Sequence, residues 1–274
     1  MRFIAPARDA VDADAFLRSP LSLWNDYADL LCGGWPDLAA LNTRMPDAAV
    51  RFVAQTPELL ADGLHYEQRI FERGEIATRE RNWHDLLNAL VWLRHPRLKR
   101  ALNARQVVEI ARVGTKQRSR VQQALTHFDE AGIVVALRDP ALLALWDLHD
   151  WPGLFWRERA AWSDGRIEAV VFGHALLEHA LKPAQLLTGK ALAVVLPEDA
   201  NAEDATAAAA AAIRDGLVLN DPQELRPLPL SGIPGWHAGN DGENFYRTAE
   251  CFRPLRAGRL YPAPLSGTSL HLDI

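Results

Sequence analysis

The sequence predicts an α+β fold: a helical N-terminal half packed on a small mixed β-sheet, followed by a Pro/Gly-rich C-terminal loop segment. Three observations carry this expectation. Apolar residues at helical spacing dominate the first half of the chain, whereas short β-branched runs gather after residue 132. Strands and helices do not alternate regularly, which sets the chain apart from doubly wound and barrel architectures. A length of 274 residues can bury a sizeable core. We read residues 1–274 as one domain, with 1–60 able to form a helical cap, 61–220 the core and 221–274 a wrapping tail.

Taken in order, residues 12–32 read as helix, since Phe16, Leu17, Leu21, Leu23, Trp24, Tyr27, Leu30 and Leu31 recur near helical spacing, with Pro20 interrupting. Trp35-Pro36-Asp37 opens a connector. Residues 55–73 read as helical but turn-rich, with Gly74 as C-cap. Asn82 suits an N-cap, and Asp85 three residues later has capping-box spacing. Leu86, Leu87, Leu90, Val91 and Leu93 then make an apolar helix that ends at Pro96, and a second helix spans about 97–113. Residues 123–137 admit two readings. Val121, Ala124, Leu125 and Phe128 match a helix face, while Leu125–Phe128, a turn at Asp129–Gly132 and a strand from Ile133 match a hairpin. The hairpin is the preferred expectation, because Ile133–Leu137 is strongly strand-like. A helical segment over 140–163 is broken at Pro152-Gly153. Residues 166–172 and 190–196 read as strands, and 174–181 as a short helix after Gly173. Residues 201–214 form an alanine-rich helix, with Glu203 and Asp204 at its start and Arg214 at its end, complementing the helix dipole. Its small side chains suit the periphery or a close approach to a sheet. From Pro222 onward Pro and Gly predict ordered surface loop.

Composition excludes several classes. The net charge of -5 argues against a uniformly basic nucleic-acid protein. Cys32 and Cys251 are the only cysteines and form no CxxC pair, which excludes a disulfide framework and a cysteine-rich zinc site and fits a reducing, cytoplasmic setting. The N-terminus has no apolar signal-peptide core, and no run of about 18 apolar residues predicts a membrane span. No dinucleotide fingerprint, phosphate loop or GxSxG elbow is present, and Gly189-Lys190 alone is not a phosphate loop. Of nine tryptophans, Trp24, Trp83, Trp151 and Trp236 stand in polar company, where an indole can pack and still place its N–H on a partner.

The candidate functional residues are polar groups set where a fold would rather not put them. His84, Asp85 and Asn88 interrupt the apolar helix, with His84 and Asn88 at i,i+4. His84 is a metal ligand or general base on one reading and a satisfied imidazole on the other. The positive end of the helix dipole would keep it neutral, and Asp85 reads first as the helix cap and second as a partner of His84. His174 and Glu178 at i,i+4 would share a helix face where a strand runs into a helix, a placement that can hold a divalent metal or make a plain hydrogen-bonded pair. Asp129 and Glu130 are adjacent acids that suit either a solvent-facing turn or a metal and base role, and His127 would share the strand face of Asp129. Arg94, Arg97, Lys99, Arg100, Arg105, Arg112, Lys116, Arg118 and Arg120 make a basic run opposed only by Glu109. Such a run binds phosphates or is a solvated face. Pro234-Gly235-Trp236 reads as an indole-anchored turn.

The run Thr78-Arg79-x-x-Asn82-Trp83-His84-Asp85-Leu86-x-Asn88-Ala89-Leu90-Val91-Trp92, with Pro96, Lys99 and Asn103, resembles a family of mostly proteobacterial proteins classed as a domain of unknown function. Ala124-Leu125-Thr126-x-Phe128-Asp129-Glu130-x-Gly132, Phe172-Gly173-His174-Ala175-Leu176-x-Glu178, Leu187-Thr188-Gly189-Lys190, Pro234-Gly235-Trp236 and Phe252-Arg253-Pro254 extend the resemblance over about residues 67 to 254. It implies a bacterial cytoplasmic protein forming one globular unit, assigns no reaction, and expects an apolar residue where this chain has His127.

These readings converge on one leading expectation: a hydrolase-like enzyme using a divalent metal. His84 and His174 are its ligands, and Asp129 and Glu178 are further ligands or the base. Arg79 orients an anionic substrate such as a phosphoester, and Asp85, Asn88, Arg97, Lys99 and Arg100 are binding residues. It requires His84 and His174 to lie within about 10 Å of each other, since both would contact one ion near 2 Å away. The alternative is a non-catalytic protein that holds nucleic acid or another anion on the basic 94–120 segment with exposed tryptophans. A third reading makes the polar motifs internal hydrogen-bond networks.

Overall fold

The computed structural model describes residues 3–115 and 117–267. After 3-10 turns at Ala13–Leu17 and Leu21–Tyr27 come the short helices α1 (Ala28–Leu31) and α2 (Leu38–Asn42), strand β1 (Arg51–Ala54), helices α3 (Pro57–Leu60) and α4 (Tyr66–Arg73), and strand β2 (Glu75–Thr78). The helix expected over 12–32, interrupted at Pro20, is instead a pair of 3-10 turns on either side of Pro20 followed by the short helix α1. These turns wrap the helix that follows. Arg94 lies over the ring of Trp24, and Arg8 lies over Trp35 and Trp83. Gly74 does cap α4, at φ 66°, where an added Cβ would strike the Ala49 carbonyl. β1 and β2 pair in parallel, apart from the main sheet.

Helices α5 (Trp83–Arg94) and α6 (Pro96–Val113) follow, joined at His95. Pro96 does not merely end one helix; it opens the next, at a first-turn position where its missing N–H costs nothing. Helix α7 (Arg120–Ala131) then runs directly into strand β3 (Gly132–Leu137). The preferred hairpin over 125–137 is therefore incorrect, and the helix reading stands. Ser119 and Gln122 close a reciprocal capping box at the start; of the four residues assigned to a turn, Asp129, Glu130 and Ala131 complete the last helical turn and Gly132 opens β3. Next come α8 (Ala141–Asp147), a π-helical turn at Pro152–Arg157 and α9 (Arg159–Ser163). Strand β4 (Ile167–Val171), helix α10 (His174–His179), strand β5 (Thr188–Val195) and helix α11 (Ala202–Arg214) complete the central region.

The 222–267 region is more than loop. It supplies β6 (Arg226–Pro229), helix α12 (Glu243–Thr248) and β7 (Leu265–Ser266). The main sheet is mixed, in the order β4-β3-β5-β6, with β7 also on β5. β3 pairs antiparallel with β4 and parallel with β5. All six residues of β3 are buried, as a central strand covered on both faces requires. Helix α11 packs on α6 and on the sheet through Ala205, Ala209, Ala212 and Ile213, so its alanines serve close approach. One apolar cluster runs from Ala15 to Tyr246. None of the nine tryptophans is exposed, contrary to what the alternative binding reading needs. Among the described residues no helix is long and apolar enough to cross a membrane. The fold is α+β, as predicted.

Candidate metal centre

Three helix ends build one polar cavity of about 380 Å³. The first is the start of α5. Asn82 accepts from the Asp85 N–H, as an N-cap should, but Asp85 does not complete the expected capping box. Its carboxylate instead accepts from the Arg79 backbone N–H at 2.6 Å and from the Arg79 guanidinium at 2.7 and 3.1 Å. This clamp joins β2 to α5 and holds His84, in the first turn, toward α10.

The second end is that of α7. Helical spacing places Gln122, Leu125, Thr126, Asp129 and Glu130 on the cavity wall. His127 points elsewhere, is exposed and lines a different cavity, so it does not share a face with Asp129. The third is the start of α10. The N–H groups of Phe172 and Gly173 both donate to the Gly132 carbonyl, and a Cβ on Gly173 would fall 2.5 Å from Ala131 Cα. Only glycine allows this approach, and it sets His174 beside the end of α7.

The outcome is that His84 and His174, ninety positions apart in the chain, present their Nε2 atoms to each other at 3.0 Å. The Glu130 carboxylate lies 3.6 Å from His174 Nε2. One ligand atom from each of His84, Glu130 and His174 lies within 4.8 Å of the other two, so the three residues could hold one metal ion. Glu178 does not pair with His174, as helical spacing suggested. It accepts from His84 Nδ1–H at 3.1 Å. A carboxylate can only accept, so the His84 proton sits on Nδ1 and the Nε2 lone pair turns inward. His174 Nδ1 is buried without a hydrogen-bond partner, 3.9 Å from Asp129 Oδ2. Lys99, also buried, donates to Asp129 at 2.6 Å.

Electrostatics follow from this layout. The hydrogen bond to Glu178 raises the His84 pKa, overriding burial and reversing the expected effect of the helix end. Burial pushes His174 down to about 3. Burial would raise Asp129, but the Lys99 ammonium and the two histidines outweigh it and hold the carboxyl below its usual range. Burial raises Glu130. On the facing wall burial, with Asp129 adding to it, lifts Glu67 to about 7, although Asn103 donates to its carboxylate at 2.7 Å. Asn88 donates to the Tyr66 hydroxyl at 3.1 Å, leaving its own buried oxygen unpartnered.

Arg97 and Arg100 lie outside this cavity. Arg97 is exposed, and Arg100 pairs with Asp47. The basic run does not make one face. Arg94 pairs with Asp26, Arg112 with Glu109 and Arg120 with Asp221, while Arg105 binds the Ile213 and Val218 carbonyls. Lys116 lies outside the described residues. Glu130, weighed beside Asp129 for a metal or base role, was left out of the leading assignment, and Glu67 went unrecognised as a site residue from sequence. The periodicity Gln122, Leu125, Thr126, Asp129 and Glu130 was the signal for the first, hidden by the hairpin reading. Glu67 carried no local signal.

No curated protein and no solved structure matches the chain. Residues 50–256 match the family model described as a protein of unknown function, DUF3025. That span holds the clamp, both histidines and every carboxylate of the cluster, and by it the chain belongs to the DUF3025 family.

Proposed function

We propose that the protein is a metal-dependent hydrolase acting on a small anionic substrate, with a phosphoester as the leading class. His84, His174 and Glu130 are the ligands of one divalent ion. The observation that carries this reading is the meeting of two imidazole Nε2 atoms at 3.0 Å with a carboxylate beside them. With His84 Nδ1–H given to Glu178, the inward Nε2 lone pair of His84 is free to take a cation, and two histidines with one glutamate form a set that binds zinc and similar ions with positions left open.

When bound, such an ion lowers the pKa of a coordinated water enough for it to act as a nucleophile near neutral pH. The chain's own groups do the rest. Glu178 fixes the orientation of His84, and Lys99 holds Asp129 behind His174. Asp129 and Glu178 thus act as outer-shell partners, in place of the ligand roles first expected of them. Glu67, poised near neutrality, is suited to hand a proton to a leaving group. Arg79 is already neutralised by Asp85, so it positions the site more than it draws substrate. Arg118 on the rim is the cation better placed to meet an anion.

The test is metal content by elemental mass spectrometry on protein purified without a histidine tag or chelator. Near-stoichiometric metal is expected in the wild type and its loss in His84→Ala, His174→Ala and Glu130→Gln, each checked for folding by circular dichroism. Folded wild type that neither carries metal nor gains thermal stability from added zinc, manganese or cobalt would sink the proposal.

A further inference from the structure

A second, larger cavity of about 830 Å³ shares no lining residue with the metal centre. Thr188 and Lys190 of β5 and Pro227 of β6 line it, together with His127 of α7 and the segment 250–261. Among the described residues, four cations, Lys190, Arg253, Arg256 and Arg259, line it against one acid, Glu250. This in a chain whose net charge is -5. Among the described residues, the neighbouring acids are already engaged by other cations. Asp221, close enough to feel Arg259, holds Arg120 with both oxygens, and Asp147 holds Arg226. Burial and then the charges of Arg259 and Arg256 depress the pKa of the Lys190 ammonium, so the cations repel one another as they stand.

The wall is also built in advance. The Arg259 guanidinium donates to the Gln223 carbonyl and lies 4.4 Å from the Tyr261 ring centre. The Tyr261 hydroxyl donates to His149 Nε2 at 2.9 Å, and His149 Nδ1–H donates to the Arg253 carbonyl at 3.0 Å. A chain of contacts therefore fixes the segment carrying three of the four cations.

We propose that this cavity binds a compact oligophosphate, a ligand with two or more linked phosphate groups, either free or as the tail of a nucleotide. Guanidinium forks match phosphate oxygens in pairs, clustered cations suit a ligand of several negative charges, and the volume is that of a small-molecule site. The inference stands apart from the metal-centre reading, since it uses none of the same residues.

Isothermal titration calorimetry on the full chain, with orthophosphate, pyrophosphate, tripolyphosphate, ATP and oligothymidylates of increasing length, tests it. Affinity should rise from orthophosphate to tripolyphosphate and fall with added salt. Arg253→Gln and Arg256→Gln, both at exposed positions, should each weaken tripolyphosphate by about tenfold. His84→Ala, or His174→Gln should the first not fold, should leave it unchanged. ATP bound like tripolyphosphate supports the proposal with a free oligophosphate as ligand, and ATP bound more tightly supports it with a nucleotide. The proposal is overturned by no binding at millimolar ligand, by binding that survives the double arginine variant, by loss of binding in both histidine variants, or by affinity that keeps climbing with oligonucleotide length.

Discussion

At the scale of single residues, the side chain behind a ligand decides as much as the ligand. Glu178 fixes which His84 nitrogen faces the cavity, so Glu178→Gln should retain the metal but bind it about 10- to 100-fold more weakly. Competition with a chromophoric chelator reads this, and wild-type affinity in the variant would remove Glu178 from the site. Glu67 makes a prediction about stability. Its carboxyl titrates near 7 in the folded protein and near 4.5 when unfolded. Between those values the folded state holds the extra proton, so metal-free protein loses stability as pH rises from about 4.5 to 7. Glu67→Gln keeps an acceptor for Asn103 and lacks this loss. It should gain on the wild type by on the order of 2 kcal/mol across that window. Denaturation midpoints at pH 5 and pH 8 check it, and a constant difference between the two proteins would refute it. His84 and His174 were legible in the sequence because each is a polar group set among apolar residues at a helix start, His84 with Asp85 beside it. The pairing of Glu178 was not. Helical spacing gave it a neighbour on its own helix, whereas the packing of α10 on α5 gave it one ninety-four residues away.

At the scale of elements, the junction of α10 with the end of α7 is the most sensitive point. A methyl group on Gly173 would meet backbone atoms of Ala131 and Gly132 at 2.5 Å, and backbone cannot swing aside as a side chain can. Gly173→Ala should cost about 1–3 kcal/mol and displace His174. Urea denaturation together with metal content measures both, and an unchanged midpoint would mean that the junction yields. This scale also shows why local patterns misled. Leu125 and Phe128 fit a strand as well as a helix face, and the capping signal that decides for helix is polar and lies earlier, in Ser119 and Gln122. β1 and β2 went unforeseen because each is four residues long, too short for alternation to register. β6, which carries two prolines, survives as a strand at the sheet's edge, where a missing N–H is tolerated.

At the scale of the whole molecule, we propose that the chain is one domain, as its uninterrupted apolar cluster suggests. It should unfold in a single transition, with the same midpoint by tryptophan fluorescence, far-ultraviolet circular dichroism and calorimetry. Tryptophans from Trp24 to Trp236 spread the fluorescence report across the chain. Two separated transitions would divide it. The α+β class was legible because helix and strand periodicities occupy different stretches of sequence. The meeting of three distant helix ends was not, because it is a product of packing and leaves no spacing to read.

The direct passage of α7 into β3 has a mechanical consequence. Glu130 stands two residues before the strand, with no loop between to absorb motion. The carboxylates of the cluster are thus coupled to the twist of the central strand, and a distortion anywhere along β3 has no slack in which to dissipate before it reaches them. On its α7 side, where Glu130 stands, the centre is thus expected to share the tolerances of the sheet.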